Sequence, residues 1–284
     1  MTITTSLGSG LRVLAYHAVG NAELFDEQIS YLAQAFNPIR AEEAARGLKR
    51  RSQRPPVWVT LDDGDPSLVD VALDVLTRHG IEATAFVCPA VIGTSEPFWW
   101  EVVEAAAAES IEIEGLRVDP TTVAWLKTVA DRDRRYFVRA ARESVETRTG
   151  FSLVRPQITR PQLRRWVDAG HAIGNHTWDH PLLDMCDDQE QLHQVNAAHE
   201  WLVDELRSDV KLFAYPNGNS TATTERRLQS LGYQVAALFD HRVHKGSNPL
   251  QMSRIRVNAT DPLEEFKARV SGIHPAVHRT LNRQ

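Results

Sequence analysis

The most informative stretch of this chain is VWVTLDDG, residues 57–64, an apolar run that ends in two carboxylates and a glycine. Its first five residues are mostly β-branched, aromatic or aliphatic, which is typical of a buried strand. Two adjacent carboxylates after a strand, Asp62 and Asp63, repel each other unless a cation lies nearby. The stretch therefore predicts a strand whose end carries chemistry, although an aspartate that caps the following helix would look the same.

On both sides of this strand, short apolar runs alternate with segments in which apolar residues recur at the spacing of a helix. Parallel strands need helical crossovers, so repeated strand–helix units imply a largely parallel sheet. We expect a distorted (β/α)7–8 barrel, with an open doubly wound sheet as the alternative. In both folds, function lies at the carboxyl ends of the strands. The predicted strands span residues 11–16, 57–61, 83–87, 171–175, 212–216, 233–239 and 253–257.

One long segment interrupts this alternation. From about residue 98 to residue 150 the pattern is helical throughout, and we expect a helical insertion packed on the main body. The three aromatic residues at its start, Phe98, Trp99 and Trp100, could stack on sugar faces. Packing within the insertion is the favoured interpretation, because large aromatic residues are often core residues. Without repeats or flexible linkers, residues 1–284 are expected to form a single domain.

Composition excludes several classes of partner. The chain has 32 basic and 37 acidic residues, a formal net charge of −5, so it lacks the global field that nucleic acid or anionic lipid would require. No run approaches the roughly 18 apolar residues of a membrane span. The first residues do not resemble a signal peptide, and a cytoplasmic location is expected. The two cysteines, Cys88 and Cys186, are expected to be buried small side chains. The sequence carries no signal for oligomeric state.

Polar residues follow several other predicted strands. His17 follows the first, HTWDH (residues 176–180) follows the fourth, and Tyr-Pro-Asn-Gly (residues 215–218) lies at the end of the fifth. Histidines four residues apart share a face if the turn is helical, and such pairs commonly hold Zn²⁺. Together with Asp63, the pair would supply three ligands and leave one position for water, which is typical of a catalytic metal site.

These motifs resemble those of the polysaccharide deacetylases, the carbohydrate esterase family 4 or NodB-homology proteins. The family's T-F-D-D-G motif corresponds to Thr-Leu-Asp-Asp-Gly at residues 60–64, and its H-[ST]-x-x-H motif to residues 176–180. The resemblance implies a distorted barrel and a metal-dependent deacetylase that hydrolyses N-acetyl groups of an amino sugar in a polysaccharide or glycan precursor. It implies one divalent ion, with zinc favoured over cobalt, nickel, manganese or iron. By this resemblance, Asp62 is the general base, and the metal ligands are Asp63, His176 and His180.

The third family motif, R-x-P-Y, departs from the pattern. The matching stretch is Ala-Tyr-Pro-Asn at residues 214–217, which lacks both the arginine and the final tyrosine. By resemblance, the backbone N–H of Asn217 helps form the oxyanion hole, with Tyr215 beside it as a substrate contact. The arginine orients the base in the family, and Arg254 or Arg256 could replace it. Ordinary surface charge is the alternative for both arginines.

The family's general acid, a histidine in a late L-x-H motif, is also missing from its usual place. LAYHAV, residues 14–19, resembles instead a subgroup in which this motif is permuted to the N-terminus. The resemblance implies that His17 protonates the leaving amine, and a core-edge histidine bonded to the backbone is the alternative. Four other histidines are expected to be solvated: His241, His244, His274 and His278.

Two other functions compete with this hypothesis. The same metal site could hydrolyse another C–N amide bond, such as a cyclic imide or ureide, since the third motif has lost its side chains. A non-catalytic glycan-binding barrel is the second rival, but a binder has no need of Asp62 together with all three metal ligands.

Overall fold

Seven parallel strands form the barrel of the computed structural model, which describes residues 10–46 and 53–271. All the predicted strands are present, and the last three are shorter than expected. In the described residues the strands are β1 (Arg12–Tyr16), β2 (Asn37–Pro38), β3 (Pro56–Leu61), β4 (Ala83–Val87), β5 (Glu112–Ile113), β6 (Leu116–Arg117), β7 (Ala172–Asn175), β8 (Leu212–Ala214), β9 (Val235–Ala237) and β10 (Ile255–Arg256). The barrel order is β10-β1-β3-β4-β7-β8-β9, and β2 pairs with β3.

The barrel closes through the segment that precedes β10. The N–H of Met252 donates to the carbonyl of Ala236 at 2.9 Å, and the carbonyl of Met252 accepts from Leu238 at 2.8 Å. Three residues later, Ile255 pairs with Leu14 of β1. These contacts connect the two ends of the strand order, so the prediction of a distorted barrel is confirmed and the open doubly wound sheet is excluded.

The barrel interior is filled with side chains rather than open. Trp58 and Phe86 meet edge to face, with ring centroids 6.2 Å apart. Gly174 of β7 leaves room for Phe86, since a Cβ at this position would lie 2.4 Å from the phenylalanine ring. Phe86 also lies 6.4 Å from the ring of His176 and 5.5 Å from the guanidinium of Arg254. It is therefore part of the packed floor beneath the strand ends.

Helices cover the outside of the barrel, and their caps match the sequence. The side chain of Asn21 accepts from the N–H of Leu24 at 3.0 Å, and Thr159 and Gln162 form a capping box. A π-helical turn at Leu68–Ala72 leads directly into α3. No helix of the described segments is long and apolar enough to cross a membrane. The helices are α1 (Ala22–Ala35), α2 (Ala41–Ala45), α3 (Leu73–Arg78), α4 (Trp99–Ala108), α5 (Thr122–Leu126), α6 (Asp131–Thr149), α7 (Arg160–Asp168), α8 (Asp188–Leu206), α9 (Ala222–Ser230) and α10 (Leu263–Val270).

The insertion at residues 98–150 is not helical throughout, contrary to the sequence-based expectation. Strands β5 and β6 form an antiparallel hairpin between α4 and α5. Its two turn residues, Glu114 and Gly115, have positive φ values of 50° and 80°, as a tight two-residue hairpin requires. Ile111 and Ile113 are buried and alternate with exposed Glu112, which is the period of a strand. Helices α4 and α6 supply the rest of a separate apolar cluster in this insertion.

Candidate active site and metal centre

The two adjacent carboxylates diverge because the chain turns between them. The N–H of Asp62 still donates to the carbonyl of Tyr16 at 2.9 Å and so extends the pairing of β3 with β1. Asp63 then has a φ of 73°, in the left-handed region, and Gly64 follows with a φ of 83°. The turn directs Asp62 to Arg254 and Asp63 to His180, and His176 lies near both carboxylates.

The two histidines of residues 176–180 converge through an irregular loop. The turn between them is not helical, so the spacing of four residues is not what brings them together. Thr177 and His180 have φ values of 71° and 62°, so the segment cannot be helical. Asn175 accepts from the N–H of Thr177 at 2.7 Å, and the hydroxyl of Thr177 accepts from the N–H of His180 at 3.1 Å. These local bonds fold the loop so that the imidazole centroids of His176 and His180 lie 4.8 Å apart.

The predicted metal ligands lie together at the carboxyl ends of the strands. Oδ1 of Asp63 is 3.4 Å from Nε2 of His176 and 3.5 Å from Nε2 of His180. The three ligand atoms lie within 4.8 Å of one another. Among the residues that the structure describes, this buried carboxylate oxygen has no hydrogen-bond partner. Two imidazole nitrogens and this unpartnered carboxylate oxygen form a donor set that suits Zn²⁺ or a similar ion.

The second nitrogen of His176 fixes which side of the ring faces this cluster. Nδ1 lies 2.8 Å from the carbonyl of Ala214, and a carbonyl only accepts, so this nitrogen carries a proton. Nε2 is then directed at Asp63. Burial lowers the pKa of His176, but its close contact with Asp63 and the charges of both aspartates outweigh burial and raise it. The cluster thus favours a positive charge between these atoms, supplied by a proton or by a metal ion.

The other two ligands have the protonation states that a metal requires. Burial lowers the pKa of His180 to about 4, so this imidazole is neutral at physiological pH. Burial raises the pKa of Asp63, but its interactions with His176, His180 and His17 outweigh that effect and lower it. Asp63 is therefore a carboxylate, and His180 offers a lone pair.

Asp62 pairs with Arg254, one of the two arginines considered from the sequence. Nη1 of Arg254 donates to Oδ1 of Asp62 at 2.7 Å and to the hydroxyl of Thr60 at 3.1 Å. Arg254 and Asp62 are both buried, with 0% and 2% of their surface exposed. Burial raises the pKa of Asp62, but the charges of Arg254 and His176 and the hydrogen bond from Arg254 outweigh it and lower the pKa. Arg254 therefore contacts the predicted base, which is the position in which it could replace the family's arginine, and it also lines the cavity.

The third-motif loop places Asn217 and Tyr215 differently. Asn217 lines the cavity with a φ of 55°, and its Oδ1 accepts from Nζ of Lys127 at 2.9 Å. Tyr215 is fully buried, and its hydroxyl donates to the carbonyl of Leu250 at 3.0 Å. The hydroxyl of Tyr215 is thus bonded within the core, although the residue lines the cavity, and its role as a substrate contact stays a prediction.

His17 lies at the mouth of the same site. Its Nε2 is 4.0 Å from Oδ2 of Asp63, the carboxylate oxygen that His176 and His180 do not approach. The side chain remains 39% exposed, and its ring meets Phe239 edge to face at 5.6 Å. The structure thus brings His17 next to the metal ligands while leaving it open to an incoming molecule.

A cavity of about 510 Å³ joins these residues, and the insertion forms part of its wall. Trp99 and Trp100 line it, and the ring of Trp100 stacks on Phe98 at 4.6 Å and meets His180 at 4.7 Å. The aromatic cluster therefore packs against His180 and also forms part of the cavity wall. Lys127 also lines the cavity, but sequence reasoning missed it, because it lies in the insertion and 90 residues from its partner Asn217.

The remaining cysteine and histidine expectations have mixed outcomes. Cys88 and Cys186 are free and buried, as expected. His241 is exposed, whereas His244 is half-buried and accepts from the N–H of Ser253 at 3.3 Å, so its expected solvation is wrong. A backbone bridge between His244 and Leu11 is the physical reason. His274 and His278 lie outside the described residues.

A family model described as polysaccharide deacetylase matches residues 49–236, and the chain belongs to this family. Among solved structures, the deacetylase PplD of Streptococcus pyogenes, in complex with acetate, is 18% identical with a TM-score of 0.64, over 92% of this chain and 98% of that one. IcaB from Ammonifex degensii is 21% identical with a TM-score of 0.64, over 93% and 98% of the chains. BC0361, a polysaccharide deacetylase from Bacillus cereus, is 16% identical with a TM-score of 0.61, over 92% and 69%. No curated protein matches the sequence.

Membership of this family defines the class of reaction. The chain is a hydrolase that acts on carbon–nitrogen bonds other than peptide bonds, and the family removes acetyl groups from N-acetylated sugar polymers. Deacetylases of this family are metalloenzymes, and the cluster of Asp63, His176 and His180 fits such an ion. The likeness to the solved structures, at 21% identity or less, shows the fold alone.

Proposed function

We propose that this protein is a metal-dependent N-deacetylase that acts on an amino sugar in a polysaccharide or a glycan precursor. One observation carries the proposal: two imidazole nitrogens converge on the unpartnered Oδ1 of Asp63, and a second carboxylate lies beside these three atoms. Oδ2 of Asp62 is 4.0 Å from Nε2 of His176, close to the ligands without being one of them. This is the arrangement that a base acting beside a metal centre requires.

Asp63, His176 and His180 would hold the ion, with zinc the best match to two imidazoles and a carboxylate. When bound, the ion supplies a water of lowered pKa and polarises the acetyl carbonyl. Asp62 accepts the proton of the attacking water, and Arg254 keeps this carboxylate ionised and fixed in place. Because the N–H of Asn217 lies in a left-handed turn at the cavity wall, we assign it to stabilise the developing oxyanion.

His17 completes the proton transfers. In its protonated form it donates a proton to the amine nitrogen as the C–N bond breaks, and acetate and the free amino sugar are released. Its exposure at the cavity mouth supports this role, because a leaving group must have access to its proton donor. Nε2 of His17 lies 4.0 Å from Oδ2 of Asp63, and Oδ2 of Asp62 lies 4.0 Å from Nε2 of His176, so the proposed acid and base both border the ligand cluster.

The test is acetate release from N-acetylglucosamine oligomers, with Asp62→Asn as the diagnostic variant. Turnover should fall by about 10²–10⁴-fold, the usual scale for loss of a general base. Asp65→Asn is the matched control, since Asp65 accepts from the N–H of Ser67 at 2.9 Å and does not line the cavity. Full turnover by Asp62→Asn would contradict the assignment. If the protein released amine from small cyclic imides but no acetate from any sugar, the rival function, hydrolysis of another amide bond, would be correct.

A further inference from the structure

Two cations in the cavity wall are not needed for the proposed chemistry. Lys127 follows α5 of the insertion, and Arg256 ends β10 of the barrel; both line the cavity. Arg256 pairs in register with Ala15, two residues before His17, so its backbone lies on the side of the proposed acid. Lys127 donates to Asn217 and thus lies on the side of the proposed oxyanion donor.

Neither cation is neutralised by a carboxylate of the protein. Within residues 10–46 and 53–271, no carboxylate lies within 4.0 Å of either side chain, although most arginines near the insertion are paired. The only partner that Lys127 has among hydrogen-bonding side chains of this part of the chain is the neutral amide of Asn217. Burial and the nearby charge of Arg256 both lower the pKa of Lys127, so the two cations repel each other.

The other charges of the wall are largely accounted for. Asp62 is paired with Arg254 at 2.7 Å, and Asp63 belongs to the metal centre. Glu104 of α4 is the remaining carboxylate of the wall and is exposed. Outside the catalytic groups, the wall therefore carries two cations against one carboxylate. A neutral sugar polymer offers no counter-charge to such a pair, whereas a negatively charged substrate does.

We propose that Lys127 and Arg256 bind a phosphate group of the substrate, which makes the enzyme selective for phosphorylated N-acetyl amino sugars. This inference rests on the proposed function and specifies its substrate class. Arginine favours phosphate because its planar guanidinium can donate two parallel hydrogen bonds, and lysine adds a point charge. The phosphate can come from a sugar phosphate or from a pyrophosphate-linked sugar, since both present the same oxygens to these two side chains.

The test compares kcat/KM for acetate release from four soluble substrates. These are the neutral methyl glycoside of N-acetylglucosamine, N-acetylglucosamine 1-phosphate, UDP-N-acetylglucosamine and the carboxylate-bearing N-acetylmuramic acid. A phosphorylated substrate should exceed the neutral one by about tenfold or more, the scale of a hydrogen bond to a charged group. The better of the two phosphorylated substrates identifies the source. Equal values for neutral and phosphorylated substrates, or equal preference for the carboxylate, would overturn the proposal.

Arg256→Gln tests the residue assignment. The ratio of kcat/KM for the phosphorylated substrate to that for the neutral one should fall about tenfold. Arg165→Gln is the matched control, because Arg165 is also exposed and pairs with no carboxylate of the described residues, but lies on α7 away from the cavity. Raising the ionic strength from about 0.1 M to about 1 M shortens the Debye length from about 10 Å to about 3 Å and should reduce the wild-type ratio. An equal loss in both variants would refute the assignment.

A binding measurement separates this proposal from the proposed function. Calorimetric titration of the Asp62→Asn protein with N-acetylglucosamine 1-phosphate should show binding that weakens about tenfold when Arg256→Gln is added. Such binding without acetate release from any substrate by the wild type would leave the anion site standing and refute the deacetylase. Acetate release without discrimination, and without arginine-dependent binding, would refute the anion site alone.

Discussion

Replacing Arg254 by methionine would leave a buried carboxylate without its cation. Asp62 is 2% exposed and accepts from Arg254 at 2.7 Å. Removal of one partner of a buried pair destabilises a protein by about 3–5 kcal/mol, because the remaining charge is buried without compensation. We therefore expect the free energy of unfolding of Arg254→Met to fall by about that amount. Urea denaturation followed by circular dichroism would measure it.

A double-mutant cycle shows whether the loss comes from this pair. In the Asp62→Asn background the neutral amide needs no counter-charge, so Arg254→Met should cost less, by at least about 1 kcal/mol of coupling. Arg254→Lys is the control, since it retains the charge but loses the contacts of the planar guanidinium. Additive costs of the two substitutions would refute the reasoning, because they would mean that the two side chains do not depend on each other.

The same pair predicts a change in pH dependence. Arg254 and His176 hold the pKa of Asp62 below its ordinary value, so the pair stabilises the protein at neutral pH and the stabilisation is lost as pH falls through the lowered pKa. Without Arg254, the increase in the pKa of Asp62 caused by burial is opposed only by the nearby histidines, so this pKa rises. Acetate release by Arg254→Met should then decline at a higher pH than in the wild type, and recover as pH is raised. If the decline of acetate release at low pH occurred at the same pH in both proteins, this account of the base would be contradicted.

Two further predictions concern the acid and the barrel interior. His17→Gln removes the proposed proton donor, so acetate release should fall by about 10²–10⁴-fold while metal content stays at the wild-type level; normal turnover would exclude His17 as the acid. Gly174→Ala places a Cβ 2.4 Å from the ring of Phe86 and should destabilise the protein by about 1–3 kcal/mol in urea denaturation. Gly20→Ala is the matched control, since its nearest contact would be at 3.9 Å, and equal stability of the two variants would refute the packing argument.

Much of the fold was predictable because its strands are buried on both sides. Such strands form continuous apolar runs, and residues 57–61 and 83–87 show this pattern clearly. The hairpin of the insertion was not predictable, because each of its strands has only two residues and the surrounding sequence is helical. Its turn residues Glu114 and Gly115 are not one of the pairs that most strongly signal a two-residue hairpin, such as Asn-Gly or Asp-Gly, and the periodicity of so short a segment does not reveal it.

The site was predictable in its ligands but not in its supporting residues. Asp63, His176 and His180 follow strands directly, and parallel strands end at the same edge of the barrel. Arg254 and Arg256 were indistinguishable, since residues two apart in a strand point to the same side. Only depth separates them: Arg254 is buried beside Asp62, whereas Arg256 is exposed at the mouth. Lys127 reaches the site through tertiary packing of the insertion, for which no local motif exists.

Metal analysis of the purified protein tests the central claim most directly. Elemental analysis by mass spectrometry should find about one equivalent of a divalent ion per chain in the wild type and in Asp62→Asn, and far less in Asp63→Ala or His180→Ala, because three protein ligands are the usual number at a catalytic zinc site. Near-normal circular dichroism of the ligand variants would show that the loss is local. A wild-type protein that folds, releases acetate and binds no metal ion under any condition would contradict the account.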